Sequence, residues 1–439
     1  SMPARSRSRC PSSTPSAAPE SSADVKAYIA DSAYGLQCED QQGKARWQLR
    51  FFEELVASKK VLIFGEVHGA NELTPISLGI LEGLFADKHV DAFAAEVPMD
   101  FADAYAAYVK TGNYDSLKTY YLDTISPRDF RRGVPERLRE LSQQGVEIPF
   151  VAVDVPWRLA WVTAALDDIA KTITDPTVAK LLTEDRPAAK EYGDTIDSAY
   201  VTKAAAFEAQ VEGGETALCG ALAAERCERA VYLARALWLS AFLQSPDYNN
   251  ATTADLDAWK AKRESLIFHN FKRALGAYPR LYAHMGAAHA KKKEGWVAYE
   301  LETSADSPVK GAVVSTMPVY GPGSEVSYGG AKVPLHPYPP IVADALLPLP
   351  GTSYVVAAAQ PNQACVNNPL SHGHVAMVGG AGRLYDAFVF VDKLTPQEAP
   401  TSFPGLIDPP ETLGGPQKRA YSRTMLRRLQ AMNSMKDAR

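Results

Sequence analysis

The sequence has little that marks a specialised class of protein. Its five cysteines in 439 residues are too few for a disulfide scaffold. Because it contains no run of about 18 apolar residues, we expect no transmembrane span. Its 46 Lys and Arg residues nearly balance its 51 Asp and Glu residues, for a formal net charge of −5, and this balance argues against a nucleic-acid binder. The chain also lacks a P-loop, a G-x-S-x-G nucleophile motif and a dinucleotide fingerprint in the right context.

The two ends of the chain differ in composition from the middle. Residues 1–24 are mostly Ser, Pro, Ala and Arg, so we expect a disordered leader. Residues 406–439 form a basic tail that we expect to be solvated, with a membrane-surface or partner contact as the alternative. No apolar segment follows the basic stretch near the start. An exported or envelope-associated protein whose signal has been removed and a cytoplasmic protein therefore both remain open.

The middle of the chain is typical of a globular protein, since 46% of all residues are apolar and 22% are charged. Short apolar runs at 61–64, 91–97 and 149–153 predict strands, and residues 134–144 have the pattern of a helix. Strands that alternate with helices indicate a central, mainly parallel sheet flanked by helices. We therefore expect a single α/β domain over residues 25–405.

Two regions depart from this alternation. Residues 157–275 are mostly helical and predict a helical insertion, with long helices at 216–243 and 254–275. Pro- and Gly-rich residues 320–352 predict an irregular C-terminal excursion. Strands are predicted in the second half of the chain at 280–285, 296–300, 309–317, 353–358 and 386–391.

Polar side chains lie at the carboxyl ends of four predicted strands: Glu66 with His68, Glu96, Asp154, and His289. Since the carboxyl ends of parallel strands meet at one edge of a sheet, we expect these side chains to converge on one crevice. The chain has only eight histidines, and His68 and His289 both follow a buried strand near a glycine. This pattern is the strongest indication of a functional site.

Two kinds of chemistry suit these residues. Glu66 and His68 are two positions apart, so in extended backbone they share a face. A carboxylate beside an imidazole orients it and raises its basicity as a general base. Alternatively, Glu66, His68 and His289 are suitable ligands for a divalent metal such as Mn, Co or Zn that activates water. The residue pattern alone does not choose between them.

Four segments together resemble the superfamily of erythromycin esterases, ChaN-type haem-binding proteins and Tiki/TraB proteases: VLIFGEVHGANE at 61–72, AAEVP around Glu96, VAVDVP around Asp154, and MGAAH ending at His289. The similarity covers roughly residues 55–300. It implies an α/β core with helical additions and a cleft in which His68 is base or ligand beside Glu66, with His289 opposite. The GEVH spacing is one residue shorter than the esterase pattern and nearer that of ChaN and Tiki, which argues against a macrolide substrate.

The helix before the last site strand also resembles its counterpart in the esterases. It begins at the carboxyl edge of the sheet, so we expect Arg263 and Glu264 to bind substrate, together with Asp154 and Glu72. A surface salt bridge is the alternative for Arg263. Asn270 lies lower on the same helix and is expected to be structural.

Weaker candidates fall outside these motifs: the charged cluster Arg128, Arg131 and Arg132; the pair His372 and His374; and the haem-ligand candidates Tyr120, Tyr121 and Tyr282. We expect the arginines to be solvated, although they suit a substrate anion, and the histidine pair to lie in a loop. Cys219 and Cys227 would be about 12 Å apart in a continuous helix. That distance is too large for a disulfide unless the helix breaks at Gly220.

The sequence supports two main functional hypotheses. In the first, the protein is a hydrolase in which His68, oriented by Glu66, activates water against an ester or amide bond of a small molecule or peptide. His289 then stabilises the oxyanion or binds metal, and Glu96 and Asp154 supply further carboxylates. In the second, a non-catalytic protein binds haem or iron at the same crevice, as ChaN does. A third hypothesis, an effector that acts on a protein partner, rests only on the basic tail.

Overall fold

The computed structural model describes residues 49–113, 134–190, 194–328, 331–336, 353–357 and 384–396, with short segments at 33–35, 38–41 and 44–47 and a few single positions. The chain divides into two compact units. The first comprises Ser1–Phe93, Ser126–Val134 and Tyr278–Ala399, and the second comprises Ala94–Ile125, Pro135–Ala277 and Pro400–Arg439.

Several sequence predictions fall outside the described residues. They concern most of the leader, the basic tail at 406–439, and the weaker candidates Arg128, Arg131, Arg132, Tyr120, Tyr121, His372 and His374.

The strands in the described part of the chain are β1 (Ala33–Gly35), β2 (Cys38–Gln41), β3 (Lys44–Trp47), β4 (Val61–Glu66), β5 (Ala92–Pro98), β6 (Phe150–Asp154), β7 (Leu281–Gly286), β8 (Val313–Tyr320), β9 (Glu325–Tyr328), β10 (Ala331–Pro334), β11 (Ser353–Ala357) and β12 (Ala387–Val391).

The helices in the same residues are α1 (Arg50–Val56), α2 (Leu73–Ala86), α3 (Ala102–Thr111), α4 (Val134–Gln143), α5 (Leu159–Ala170), α6 (Pro176–Thr183), α7 (Ser198–Gly213), α8 (Glu215–Ala221), α9 (Ala224–Gln244), α10 (Pro246–Asn249), α11 (Thr253–Ala277) and α12 (Val297–Thr303), with a 3-10 helix at Met99–Phe101. No described helix is both long enough and apolar enough to cross a membrane.

The first unit is built on a mixed sheet with the strand order β1-β11-β12-β8-β4-β7. Strands β12, β8, β4 and β7 run parallel to one another. Strand β11 is antiparallel to β12, and β1 is antiparallel to β11 at the edge of the sheet. Strand β4 lies inside the sheet, and all six of its residues are buried. This burial explains why its sequence is a continuous apolar run. The predicted α/β class with a mainly parallel sheet flanked by helices is confirmed.

The second unit contains β5 from Ala94 onward, the neighbouring strand β6 and helices α5 to α11. These helices lie within the region predicted as a helical insertion. Apolar residues of these helices form one core that includes Leu166, Phe207 and Leu233, as expected where amphipathic helices present apolar residues at intervals of three and four. The unit is therefore held together by burial of helix faces around its own core.

Two predicted elements are wrong. The helix predicted over 216–243 is interrupted, since α8 ends at Ala221, Leu222 is extended and α9 begins at Ala224. The interruption brings the Cα atoms of Cys219 and Cys227 to 5.1 Å, and the two residues form a disulfide. The strand predicted over 296–300 is the start of helix α12, whose buried Val297, Ala298 and Leu301 follow a helical spacing.

Candidate active site

Glu66, the last residue of β4, lies between two imidazoles. Its Oε1 atom is 2.7 Å from Nδ1 of His68, and its Oε2 atom is 2.8 Å from Nε2 of His284. The side chain of Glu66 is 5% exposed and that of His284 is fully buried, whereas that of His68 is 52% exposed. A buried carboxylate thus connects a buried imidazole to an imidazole at the surface.

The register of β4 against β7 creates this arrangement. Phe64 is paired with His284, and Glu66 is paired with Gly286. Since alternate residues of a strand share a face, Phe64 and Glu66 point to the same side, where His284 meets both. The rings of Phe64 and His284 lie 5.4 Å apart, so the buried imidazole has an apolar contact on one side and the carboxylate on the other.

The ionisation of Glu66 is set by its neighbours. Burial alone raises the pKa of its carboxyl group, but the charges of His284 and His68 and their hydrogen bonds outweigh burial and hold the pKa well below its usual value. The carboxyl group is therefore ionised throughout the physiological range. An ionised carboxylate at Nδ1 favours the tautomer of His68 that carries its proton on Nδ1.

Two glycines position the loop that carries His68. A Cβ atom on Gly65 would lie 2.5 Å from the backbone oxygen of Thr316 and 3.1 Å from the Cα atom of Ala287. Strand β4 can therefore approach its neighbours this closely only with glycine at position 65. Just after His68, Gly69 has a φ of 88°, a left-handed conformation that favours glycine, and turns the chain back toward α2.

The rest of this loop is fixed by contacts with residues 395–396. Asn71 donates from Nδ2 to Oγ1 of Thr395 and to the carbonyl oxygen of Pro396, both at 3.0 Å. Glu72 accepts hydrogen bonds from the backbone N–H of Thr395 at 2.9 Å and from its hydroxyl group. Both side chains thereby stabilise the loop, and the predicted role of Glu72 in binding substrate remains a prediction.

His289 follows β7 in a tight turn. Its backbone N–H donates to the carbonyl oxygen of Gly286, and the N–H of Ala287 donates to the backbone oxygen of Glu66 at 2.8 Å, so the turn is held against the end of β4. The side chain of His289 is 5% exposed, and its ring makes an edge contact with Trp296 at 5.9 Å. His289 is a buried imidazole supported by an aromatic ring.

In the second unit, Arg263 joins two of the predicted site carboxylates. Its Nε and Nη2 atoms lie 2.9 and 2.8 Å from the two oxygens of Asp154, and Nη2 lies 2.8 Å from Oε1 of Glu96. The arrangement with Asp154 is bidentate, the geometry that suits a planar guanidinium group. Burial lowers the pKa of Arg263, but Asp154 and Glu96 outweigh burial and raise it, so the group stays charged.

Helix α11 carries two more of the predicted residues. Glu264 follows Arg263 directly and is 2% exposed. Asn270 donates from Nδ2 to the backbone oxygen of Val153 and to the hydroxyl group of Tyr232, both at 3.0 Å. These are the contacts of a structural residue that ties α11 to the end of β6. The substrate-binding roles of Arg263, Glu264 and Asp154 remain predictions.

The role of Glu66, His68 and His289 as metal ligands remains a prediction. In the described part of the chain, no group of three or more His, Cys, Asp or Glu side chains is placed to hold one. Nδ1 of His68 and Oε1 of Glu66 face each other at hydrogen-bond distance, so these donor atoms are directed at each other rather than at a common point. Tyr282, a predicted haem ligand, lies in the core with its hydroxyl group 2.8 Å from Oγ of Ser77.

His284 is a site residue that the sequence motifs did not predict. It precedes Gly286 by two residues in His284-Met285-Gly286, just outside the motif that runs from Met285 to His289. A histidine inside an otherwise apolar strand is costly to bury unless it has a polar partner. The position of His284 inside an apolar strand was therefore a signal, since a buried histidine needs a polar partner such as the carboxylate at the end of the neighbouring strand.

Neither a protein-family model nor a curated protein matches this sequence. Solved structures do resemble it. A protein from Bacillus cereus aligns with a TM-score of 0.59 at 13% identity, over 87% of this chain and all of that one. The erythromycin esterase EreC in its open conformation aligns with a TM-score of 0.56 at 13% identity, over 80% of this chain and 96% of that one. A succinoglycan biosynthesis protein aligns with a TM-score of 0.54 at 12% identity, over 86% and 98% of the two chains.

These likenesses establish the fold and nothing further, since the identities are low. The chain has the α/β fold of the erythromycin esterase, as the resemblance of its motifs predicted. ChaN of Campylobacter jejuni, which binds haem cofacially, aligns with a TM-score of only 0.28, and that value carries no argument about this chain.

Proposed function

We propose that the protein is a hydrolase in which His68 is the general base that activates water against an ester or amide carbonyl. One observation carries the proposal: an exposed imidazole is bonded through Nδ1 to a buried, ionised carboxylate. Such a carboxylate orients the ring and stabilises the imidazolium that forms when the ring accepts a proton. The shared fold of the erythromycin esterase EreC is consistent with this reaction class.

The proton transfers follow from the bond between His68 and Glu66. The N–H group at Nδ1 of His68 donates a hydrogen bond to Glu66 and keeps its proton. The ring accepts a proton from water at Nε2. The water oxygen then bonds to the carbonyl carbon, and the carbonyl π electrons move to its oxygen. When the tetrahedral intermediate collapses, the bond to the leaving group breaks and the imidazolium returns its proton to that group. The base is regenerated without a redox step.

The other residues are proposed in supporting roles. His284 holds the second oxygen of Glu66 and so fixes the carboxylate that orients His68. His289 is proposed to stabilise the oxyanion. Glu96 keeps its proposed role as a further catalytic carboxylate. Asp154, Arg263, Glu264 and Glu72 keep their proposed roles in substrate binding.

The first experiment measures hydrolysis by the purified full chain on a panel of aryl esters, lactones and peptides, with EDTA present throughout. We expect turnover of at least one class of ester or amide, and we expect His68→Ala to reduce kcat by about 100-fold or more. His336→Ala is the matched control, because His336 is also exposed and has no proposed role. A panel without turnover, or equal turnover by His68→Ala, would contradict the proposal.

A further inference from the structure

A group of basic side chains lies between α9 and α11 in the second unit, apart from Arg263 and its carboxylates. We call it the α9–α11 cluster and define it by Arg229, His269, Lys272 and Arg273. The charges of the three other members all act on His269. Glu228 is the acid at the cluster, and its Oε1 atom lies 3.1 Å from Nδ1 of His269. The cluster therefore carries an excess of positive charge.

Arg229 is held by aromatic rings rather than by an acid. Its guanidinium carbon lies 5.4 Å from the ring centre of Trp161 and 5.1 Å from that of Tyr232. Its Nη1 atom lies 3.8 Å from Sδ of Met99. Among the described residues, no carboxylate forms an ion pair with Arg229. The N–H groups of this half-buried guanidinium group that do not face Met99 remain donors, and a planar guanidinium group is suited to recognising planar or tetrahedral oxyanions.

Arg273 adds a second charge beside the first. It is exposed, and within the described part of the chain it has no ion-pair partner. Burial lowers the pKa of Arg229, and the charge of Arg273 lowers it further. Two cations that repel each other without an intervening acid gain the most from a bound anion, because the anion offsets both the repulsion and the desolvation.

Hydrogen bonds connect the cluster to the carboxyl ends of β5 and β6. Tyr232 donates its hydroxyl proton to Sδ of Met99 at 3.0 Å and accepts a hydrogen bond from Asn270. Asn270 also donates to the backbone oxygen of Val153, one residue before the end of β6. Met99 directly follows β5. The cluster is thus anchored at the carboxyl ends of two neighbouring strands, where α/β proteins place ligand groups.

We propose that the α9–α11 cluster is a binding site for an oxyanion, a phosphate or carboxylate group of a ligand, with Arg229 as the oriented donor and Arg273 as the second charge. The proposed anion site does not depend on the proposed hydrolysis, since it includes none of His68, Glu66 and His284. Its failure and the failure of the catalytic proposal are therefore separate results.

The test is thermal unfolding of the full chain in sodium phosphate and in sodium acetate, each compared with sodium chloride of equal ionic strength. A ligand that binds only the folded state raises Tm with its concentration. We expect a rise in Tm with at least one of the two anions. A rise with phosphate alone assigns the site to a phosphate group, and a rise with acetate alone assigns it to a carboxylate.

Variants then locate the effect. Arg229→Gln is expected to abolish the anion-dependent rise in Tm, and Arg273→Gln is expected to reduce it by about two-fold or more. Arg235→Gln is the matched control, because Arg235 lies on the same helix but is paired with Glu212 at 2.8 Å; it should retain the full rise. If Arg229→Gln does not fold, the comparison of Arg273→Gln with Arg235→Gln tests the proposal, because Arg273 is exposed. No rise in the wild type, or an equal rise in Arg273→Gln and Arg235→Gln, would overturn the proposal.

Discussion

Nε2 of His284 lies 2.8 Å from Oε2 of Glu66, which places a fully buried histidine against the carboxylate that orients an exposed one. The contact joins two neighbouring parallel strands at their carboxyl ends. It also gives the carboxylate a second partner, so that neither of its oxygens is left to the apolar interior.

Removal of His284 should destabilise the fold strongly. His284→Ala leaves one oxygen of a buried, ionised carboxylate without this partner, and an unsatisfied buried charged group costs about 3 kcal/mol or more. Chemical denaturation measures the free energy of unfolding. The exposed His336 provides the control, since His336→Ala should change that free energy by no more than about 0.5 kcal/mol. Equal stability of the two variants would show that His284 does not support Glu66.

Glu66 should make stability depend on acid pH. The folded protein holds the pKa of Glu66 below its usual value of 4.5, so the carboxylate stabilises the fold above that pH, and this contribution is lost as the pH falls below it. Glu66→Gln should be less stable than the wild type by about 2 kcal/mol at neutral pH, with a difference that shrinks under acid conditions. Urea titrations from neutral to acid pH measure it. A difference that stays constant with pH would contradict the assignment.

Gly65 should not tolerate a side chain. A Cβ atom there would lie 2.5 Å from the backbone oxygen of Thr316, so Gly65→Ala must shift β4 or β8 and should cost about 1–3 kcal/mol. Gly276→Ala is the matched control, because nothing lies within 4 Å of a Cβ atom at that helical position. Alanine there should be neutral or stabilising by up to about 1 kcal/mol. Similar thermal stability of the two variants would refute the steric argument.

Loss of the cation should destabilise the fold more at the buried ion pairs of Arg263 than at an exposed ion pair. Arg263→Gln leaves the buried Asp154 and the largely buried Glu96 without their cation, with an expected loss of about 3–5 kcal/mol. Arg280, paired with Asp91 in a more exposed setting, offers the comparison, and Arg280→Gln should cost about 1 kcal/mol or less. Unfolding by guanidinium chloride measures both. Equal losses of stability in Arg263→Gln and Arg280→Gln would show that burial does not determine how much each ion pair contributes to stability.

Regular patterns made much of the fold predictable. The apolar run of β4 follows directly from burial on both faces, and the helical pattern at 134–144 predicted α4 (Val134–Gln143). The hairpin of β9 and β10 was not predicted, because its region is rich in Pro and Gly, although Gly329-Gly330 between the strands is itself a hairpin signal. The polar strands β2 and β3 lack the alternation that marks a half-buried strand. The break before α9 was missed because Leu222 and Ala223 both suit a helix.

The candidate site was predictable only where local spacing sets geometry. Glu66 and His68 are two residues apart, so their proximity follows from local spacing, although His68 lies in the turn just after β4 rather than in extended backbone. The partnership of Glu66 with His284 depends on the register of β4 against β7, which are more than two hundred positions apart in the chain. The pairing of Arg263 with Asp154 likewise depends on how α11 packs on β6. Candidate residues of this kind can be predicted from the sequence, but which of them are in contact depends on how the strands and helices pack.

The central claim is that Glu66 acts through His68, and a double-mutant cycle on kcat/KM tests it most directly. The cycle compares His68→Ala, Glu66→Gln and the double variant on whichever substrate the panel identifies. If Glu66 works only by orienting His68, the double variant should be no slower than His68→Ala, since groups that act as a unit are not additive. Losses that add in full would show that the two residues act independently and would contradict the account.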